Sequence, residues 1–234
     1  DLALYNAKDA GGRTYRVFQP VLRAKAEMRR QLDVDLRRAF AANEFVLHYQ
    51  PQIRLSDDVL AGAEALLRWH HPEKGLLAPA SFIEALAESA IAVDVGRWIL
   101  RTACANAAAW RRQGLHVRVG VNLFPAHFRE GTLKEDVETA LRQAGLPADG
   151  LELEITENIA LSQDEEMLQP LRAIRNMGVG LAFDDFGTGY ASLSYLTRYP
   201  LSRIKIDRSF VSRITENPTR EESAIVRSII VLAH

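Results

Sequence analysis

From about residue 45 onward, short apolar or alternating runs take turns with longer stretches whose apolar residues recur at helical spacing. The strand candidates are FVLHYQP, LAGAEALLRW, VRVGVNL, LELEIT, VGLAFDD and RIKID. Between them lie SFIEALAES, VDVGRWILRTACANAAAWRRQ, LKEDVETALRQAG and DEEMLQPLRAIRNMG, two of which close on a glycine. Strand and helix in alternation are the signature of βα units around a mainly parallel sheet, so the pattern predicts an α/β fold. A closed βα barrel needs eight strands and about 250 residues, whereas this rhythm covers only roughly the last 190, so two further units are expected past His234. An open doubly wound sheet needs no such completion and stands as the alternative.

Residues 1–20, DLALYNAKDAGGRTYRVFQP, fall outside this rhythm and read as the end of a helix, a Gly-Gly turn and a short strand. Residues 21–44 then predict a charged amphipathic helix with Leu22, Ala26, Met28, Leu32, Leu36 and Phe40 as its apolar positions. In RWHHPEKG, His70 and His71 read as loop residues beside a proline turn, with no ligand spacing around them. His48, His116 and His127 are isolated and carry no signal. The chain opens on Asp1 and stops just after the apolar helical stretch SAIVRSIIVLAH, so both ends read as cut.

Composition narrows the function classes. The 234 residues are 47% hydrophobic, and 29 basic against 30 acidic side chains give a net charge of −1, an ordinary globular balance. That balance argues against binding long nucleic acid through a basic surface and leaves room for a small anionic ligand. The single cysteine, Cys104, sits in a helical apolar pattern and reads as a buried, inert thiol. With one cysteine no internal disulfide can form, which suits a reducing cytoplasm. No run of about 18 apolar residues and no leader-like start is seen.

The chemistry concentrates where the strands end, which in a βα barrel is where catalytic groups project. Period-2 spacing puts Glu64, Leu66 and Arg68 on one face of the second strand. The third ends with Asn122; the fourth carries Glu152, Glu154 and Thr156 on one face; the fifth ends with Asp184 and Asp185; the sixth carries Lys205 and Asp207. Neighbouring strand residues face opposite ways, so Asp184 and Asp185 serve one site only if the strand ends there and the glycine-rich turn swings the second carboxylate round.

Clustered carboxylates repel unless a cation neutralises them, and an all-oxygen set suits magnesium, manganese or calcium better than zinc. Two such ions about 3.5 to 4 Å apart, bridged by one carboxylate, would form a phosphoryl-transfer site. Lys205 could orient or help deprotonate the water, and the planar fork of Arg68 suits a phosphate or a guanine edge. Plainer accounts exist for each part: an ion pair between Glu64 and Arg68, another between Lys205 and Asp207, solvated or structural Glu152 and Glu157, and an Asp-Asp pair in an ordinary turn.

Taken together these segments resemble the EAL family of cyclic di-GMP phosphodiesterases. Glu64, Ala65 and Leu66 form the Glu-Ala-Leu signature, extended by Arg68, and HYQPQI, VNL, LELEITEN, DDFGTGYASL and IKIDRSFV follow in the family's order over roughly residues 38–234. DLALYNAKDAGGRTYRVF is similar to the closing segment of a GGDEF diguanylate cyclase domain, which often precedes EAL. The expected organisation is therefore a GGDEF remnant at 1–20, a linker helix at 21–37 and a C-terminally incomplete EAL domain at 38–234.

The resemblance implies a modified TIM barrel with one antiparallel strand. It implies hydrolysis of cyclic di-GMP to linear pGpG with magnesium or manganese, calcium being inhibitory. Glu64, Asn122, Glu154 and Asp184 would hold one metal, and Asp184 with Asp185 the other. Lys205 would contact the catalytic water, with Asp207 supporting the cluster. Gln50, Leu66 and Arg68 would line the substrate site, and Glu157 would brace the loop DDFGTGYASL. That loop, around Asp184–Leu193, would also lie at a homodimer interface.

The family reading places the visible part in the cytoplasm and leaves membrane attachment through upstream segments open. Phe124 and Pro125 stand where the family has a serine after VNL, which implies a local loop change that keeps Asn122. A later segment carrying AEGVE, whose glutamates belong to the family's active site, is expected beyond His234. The alternative in the same family is a catalytically inactive domain that binds cyclic di-GMP as a receptor or regulatory module.

Overall fold

The computed structural model describes residues 20–156, 165–187, 198–216 and 220–233. They fall into two compact units, one built from residues up to Val46 together with Arg68–Ile91, the other from Leu47–Leu67 together with residues from Ala92 onward. The expected GGDEF-like tail, Glu157 and the part of DDFGTGYASL beyond Gly187 lie outside the described residues.

The first unit contains the helix α1 (Pro20–Ala41), the start of β1 (Phe45–Arg54), the end of β2 (Val59–His71), the short β3 (Gly75–Leu77) and the helix α2 (Ile83–Glu88). Its core is Leu36, Ala39, Phe45, Trp69, Phe82 and Leu86. Phe45, Trp69 and Phe82 pack with centroids 5.7 to 6.1 Å apart. The Trp69 indole N–H donates to Glu44 Oε2 at 2.9 Å, which satisfies the one polar atom buried with the ring.

Two expectations change here. Met28 is 64% exposed, so it lies off the apolar stripe that the helical period predicts. His70 and His71 are strand residues: β3 pairs antiparallel with them, His70 opposite Leu76 and His71 opposite Gly75. His71 Nδ1 accepts the amides of Glu73 and Lys74, so this imidazole closes the turn.

In the second unit the sheet runs β1-β2-β4-β5-β6-β7, with β4 (Arg118–Asn122), β5 (Leu151–Thr156), β6 (Gly180–Phe186) and β7 (Arg203–Ile206). From β2 onward every neighbour along this path is parallel. Only a four-residue turn, 55–58, joins β1 to β2, a connection too short for parallel strands, so β1 is antiparallel to β2. Each new strand adds to the same side of the last. A doubly wound sheet reverses its order at a switch point, whereas this progression is that of a TIM-like barrel.

The connections carry α3 (Ala92–Arg112), α4 (Pro125–Glu130), α5 (Leu133–Ala144), α6 (Glu165–Asn176), α7 (Arg208–Glu216) and α8 (Arg220–Ala233). Helix α3 buries Val95, Gly96, Ile99, Leu100, Ala103, Cys104, Ala107 and Ala108, a stripe at three- and four-residue spacing. Leu151 to Ile155 and Gly180 to Phe183 are buried without alternation, as expected of parallel strands covered on both faces. Six of the strands follow the sequence pattern. The pattern misses β3 and α4, which are too short to show a period, and also α7, whose amphipathic spacing is there to be read.

Candidate active site

On β2 the burial alternates: Ala63, Ala65 and Leu67 are buried, and Glu64, Leu66 and Arg68 are half-buried. The expected shared face is therefore present along the strand. Parallel registers then set the neighbours level, Glu64 opposite Gly120, Asn122 opposite Glu154, and Thr156 opposite Asp184. Residues level across parallel strands project to the same side, so Glu64, Asn122, Glu154 and Asp184 gather near the C-terminal ends of their strands.

Lys205 on β7 sits among them. Its Nζ donates to Glu64 Oε2 at 2.9 Å, to Glu154 Oε2 at 2.5 Å and to Asp184 Oδ2 at 2.9 Å. An ammonium has three N–H donors, and three carboxylates take them. The Asn122 side-chain amide donates to the other oxygen of Glu64 at 2.9 Å. Lys205 thus pairs with the cluster and not with Asp207 among the described residues.

Glu154 is fully buried, and its Oε1 has no hydrogen-bond partner among the described residues. Burial pushes this carboxyl up to about 8; Lys205 opposes the rise, and Glu64 and Asp184 add to it. Burial also disfavours the Lys205 charge, but the attraction of Glu154, Glu64 and Asp184 outweighs it and raises the ammonium's pKa. Room for the Glu154 carboxylate comes from Gly120: a Cβ there would collide with Oε1 and stand 3.1 Å from Cδ. The Glu154–Gly120 fit went unread in the sequence, where the only trace is a glycine inside an apolar strand.

The two adjacent aspartates diverge by a different device from the one expected. The strand runs on to Phe186, but its pairing with β7 shifts register between Phe183 and Phe186, and Asp185 takes φ of 54° in the left-handed region. Such a bulge re-aims one side chain without ending the strand. Asp184 accepts its neighbour's amide at 3.0 Å. Asp185 is exposed, and its carboxyl is raised by desolvation, Asp184 and Asp207. Asp207 accepts the hydroxyl and the amide of Ser209, which hold its carboxyl below the usual range.

Gln50 is exposed on β1. Phe124 is buried and precedes α4, with Pro125 at its first turn, and Asn122 keeps its place against Glu64. Glu152 shares the face of Glu154 but points to the other end of β5, where it meets Arg118 and Arg203 at 3.3 and 3.4 Å. It is a structural partner there, one of the two accounts open for it.

The donor chemistry fits a hard divalent cation. Oxygens of Glu64, Glu154 and Asp184 lie within 4.8 Å of one another, and a buried carboxylate oxygen without a partner among the described residues leaves an acceptor for which an ion is the natural complement.

The EAL domain family profile matches residues 33–234. MucR of Pseudomonas aeruginosa, a bifunctional diguanylate cyclase and cyclic di-GMP phosphodiesterase, is 38% identical over 234 residues, covering 99% of this chain and 34% of MucR. PdeR of Escherichia coli, a cyclic di-GMP phosphodiesterase, is 34% identical over 233 residues, 100% of this chain and 35% of PdeR. The chain thus spans about a third of the length of these relatives. The solved PaMucR phosphodiesterase in complex with c-di-GMP superposes with a TM-score of 0.80 at 38% identity, covering 86% of this chain and 81% of that one. On the profile match, this chain belongs to the EAL domain family.

Proposed function

We propose that this chain hydrolyses cyclic di-GMP to linear pGpG with magnesium or manganese. The observation that carries the proposal is the cluster of Glu64, Glu154 and Asp184 around Lys205, with one buried carboxylate oxygen left without a partner among the described residues. The names of the relatives support the substrate.

Glu64, Asn122, Glu154 and Asp184 are the ligands assigned to one ion, and Asp184 with Asp185 those of a second. Such ions, when bound, polarise the phosphoryl oxygen and lower the pKa of the attacking water. Lys205, held charged by its carboxylates, would contact that water through an Nζ–H released when an ion takes one of those carboxylate oxygens. Asp207 steadies Asp185 through their interaction. Gln50, Leu66 and Arg68 line the substrate, the Arg68 guanidinium forking onto a guanine edge or a phosphate. Calcium, larger and looser in geometry, inhibits in this reading.

The same reading makes residues 1–20 the tail of an upstream GGDEF domain, 21–37 a linker helix and 38–234 the EAL domain. The boundary at 37 falls inside the continuous helix α1, which would couple the two. Glu157 braces the loop around Asp184–Leu193, through which two copies pair. The site of action is the cytoplasm, and among the described residues no helix is long and apolar enough to cross a membrane.

The test is incubation with cyclic di-GMP and magnesium or manganese, following pGpG by chromatography, with Glu64→Ala as control. Metal-dependent pGpG that the variant fails to make supports the enzyme. Tight binding without cleavage in either metal replaces it with the receptor reading.

A further inference from the structure

At the end of the strands opposite the carboxylate cluster, a cavity of about 280 Å³ is lined by Ala61, Arg111, His116, Arg118, Asp149 and Arg203, among others. Its polar groups form one chain. Arg111 donates to Asp149 Oδ1 at 3.2 Å, Arg118 to the Asp149 carbonyl at 3.1 Å and to Glu152 Oε2 at 3.3 Å, and Arg203 Nη1 to Gln52 Oε1 at 3.1 Å. Arg203 Nε also lies 3.4 Å from Glu152 Oε2.

Three guanidiniums therefore meet two carboxylates, so the cavity keeps an excess of positive charge. Each guanidinium has five N–H donors in a rigid fork, and the contacts among the described residues use only part of them. Glu152 is 1% exposed and already holds two of the arginines in place, which fixes their remaining donors at the cavity without neutralising the third. Glu152 and Glu154 lie on the same strand face about 7 Å apart along β5, so this cavity and the candidate catalytic cluster are two ends of one interior.

We propose that this cavity is a binding site for a phosphate-type anion, separate from the candidate catalytic cluster. Planar, paired donors in a fixed fork match phosphate oxygens, and the volume suits a phosphate or pyrophosphate group, too small for a whole cyclic dinucleotide.

Isothermal titration of inorganic phosphate and pyrophosphate into the metal-free protein, with EDTA present, tests this. Among the described residues the ion pair of Arg111 is with the exposed Asp149, so Arg111→Gln should fold normally; it is expected to weaken binding at least fivefold. Arg203→Gln should act in the same direction, and Glu64→Gln at the other end should leave binding unchanged. Absence of binding, or binding that Arg111→Gln leaves intact, or binding abolished by Glu64→Gln, would overturn the proposal and leave the arginines as internal partners of Glu152 and Asp149. None of these outcomes bears on whether cyclic di-GMP is cleaved.

Discussion

Lys205 Nζ stands 2.5 Å from one oxygen of Glu154, while the other oxygen of the same carboxylate is buried with no partner among the described residues. One lysine therefore serves three acids and still leaves an acceptor open, which is the electrostatic condition for taking up a cation.

Removing Lys205 tests that condition. Lys205→Met leaves Glu64, Glu154 and Asp184 clustered without their internal cation, and breaking a buried pair in this way costs about 3 kcal/mol. The melting temperature should fall in EDTA and recover in part with manganese, which supplies the missing charge. Turnover of cyclic di-GMP should drop by about 100-fold or more even with metal, the order of loss when a group that positions the reacting water is removed. A variant with unchanged turnover would remove Lys205 from the reaction.

Gly120 offers a subtler test. A methyl at this position collides with Glu154 Oε1 and crowds its Cδ, so Gly120→Ala should displace that carboxylate while leaving the side chain in place. Overpacking of this kind costs about 1 to 3 kcal/mol. Manganese affinity, read by calorimetry, should weaken about tenfold in a protein that still folds. Unchanged affinity would mean that Glu154 does not hold the ion.

Much of this site is legible in the sequence because parallel strands keep level residues on one side. Once Glu64, Asn122, Glu154, Asp184 and Lys205 are read as strand-end residues, their meeting follows. The rest depends on local backbone and on charged neighbours. Asp185 turns through a left-handed residue inside a bulge, a conformation that alternation cannot encode. Glu152 and Glu154 have the same spacing and face and each lies against a glycine, Gly180 and Gly120, yet Glu154 meets Lys205 and Glu152 meets Arg118 and Arg203, a difference in charged neighbours that spacing does not encode. His70 and His71 look like loop residues because the three-residue β3 that pairs with them is too short to have a pattern.

Cys104 is fully buried in α3, and burial pushes its thiol up to about 12. The thiolate, which is the reactive form, is then negligible at neutral pH. Native protein should show no reaction with a thiol-specific disulfide reagent over the time in which the guanidinium-unfolded chain reacts fully. Rapid native labelling would contradict this packing.

His127 gives the pH prediction. Its ring is 1% exposed, stacks beside Phe124 at 6.2 Å and fills the space above Gly96, and neither nitrogen has a hydrogen-bond partner among the described residues. Burial lowers its pKa to about 4; Asp136 opposes the shift and Arg97 adds to it. The unfolded chain therefore takes up a proton at its ordinary value near 6.5, while the folded chain resists until about 4. Between those values the unfolded state binds more protons, so the stability from a neutral His127 is complete above 6.5 and is lost as pH falls. The slope contributed by one such proton is about 1.4 kcal/mol per pH unit. Denaturant unfolding at pH 7, 6, 5 and 4.5 should show this loss, and His127→Leu, which keeps an apolar group against Phe124, should flatten the curve relative to the parent. Carboxylates titrating in the same range are common to both proteins and cancel in the difference. Parallel curves for the two would mean that His127 titrates alike in the folded and unfolded states, which a buried ring without a partner among the described residues does not do.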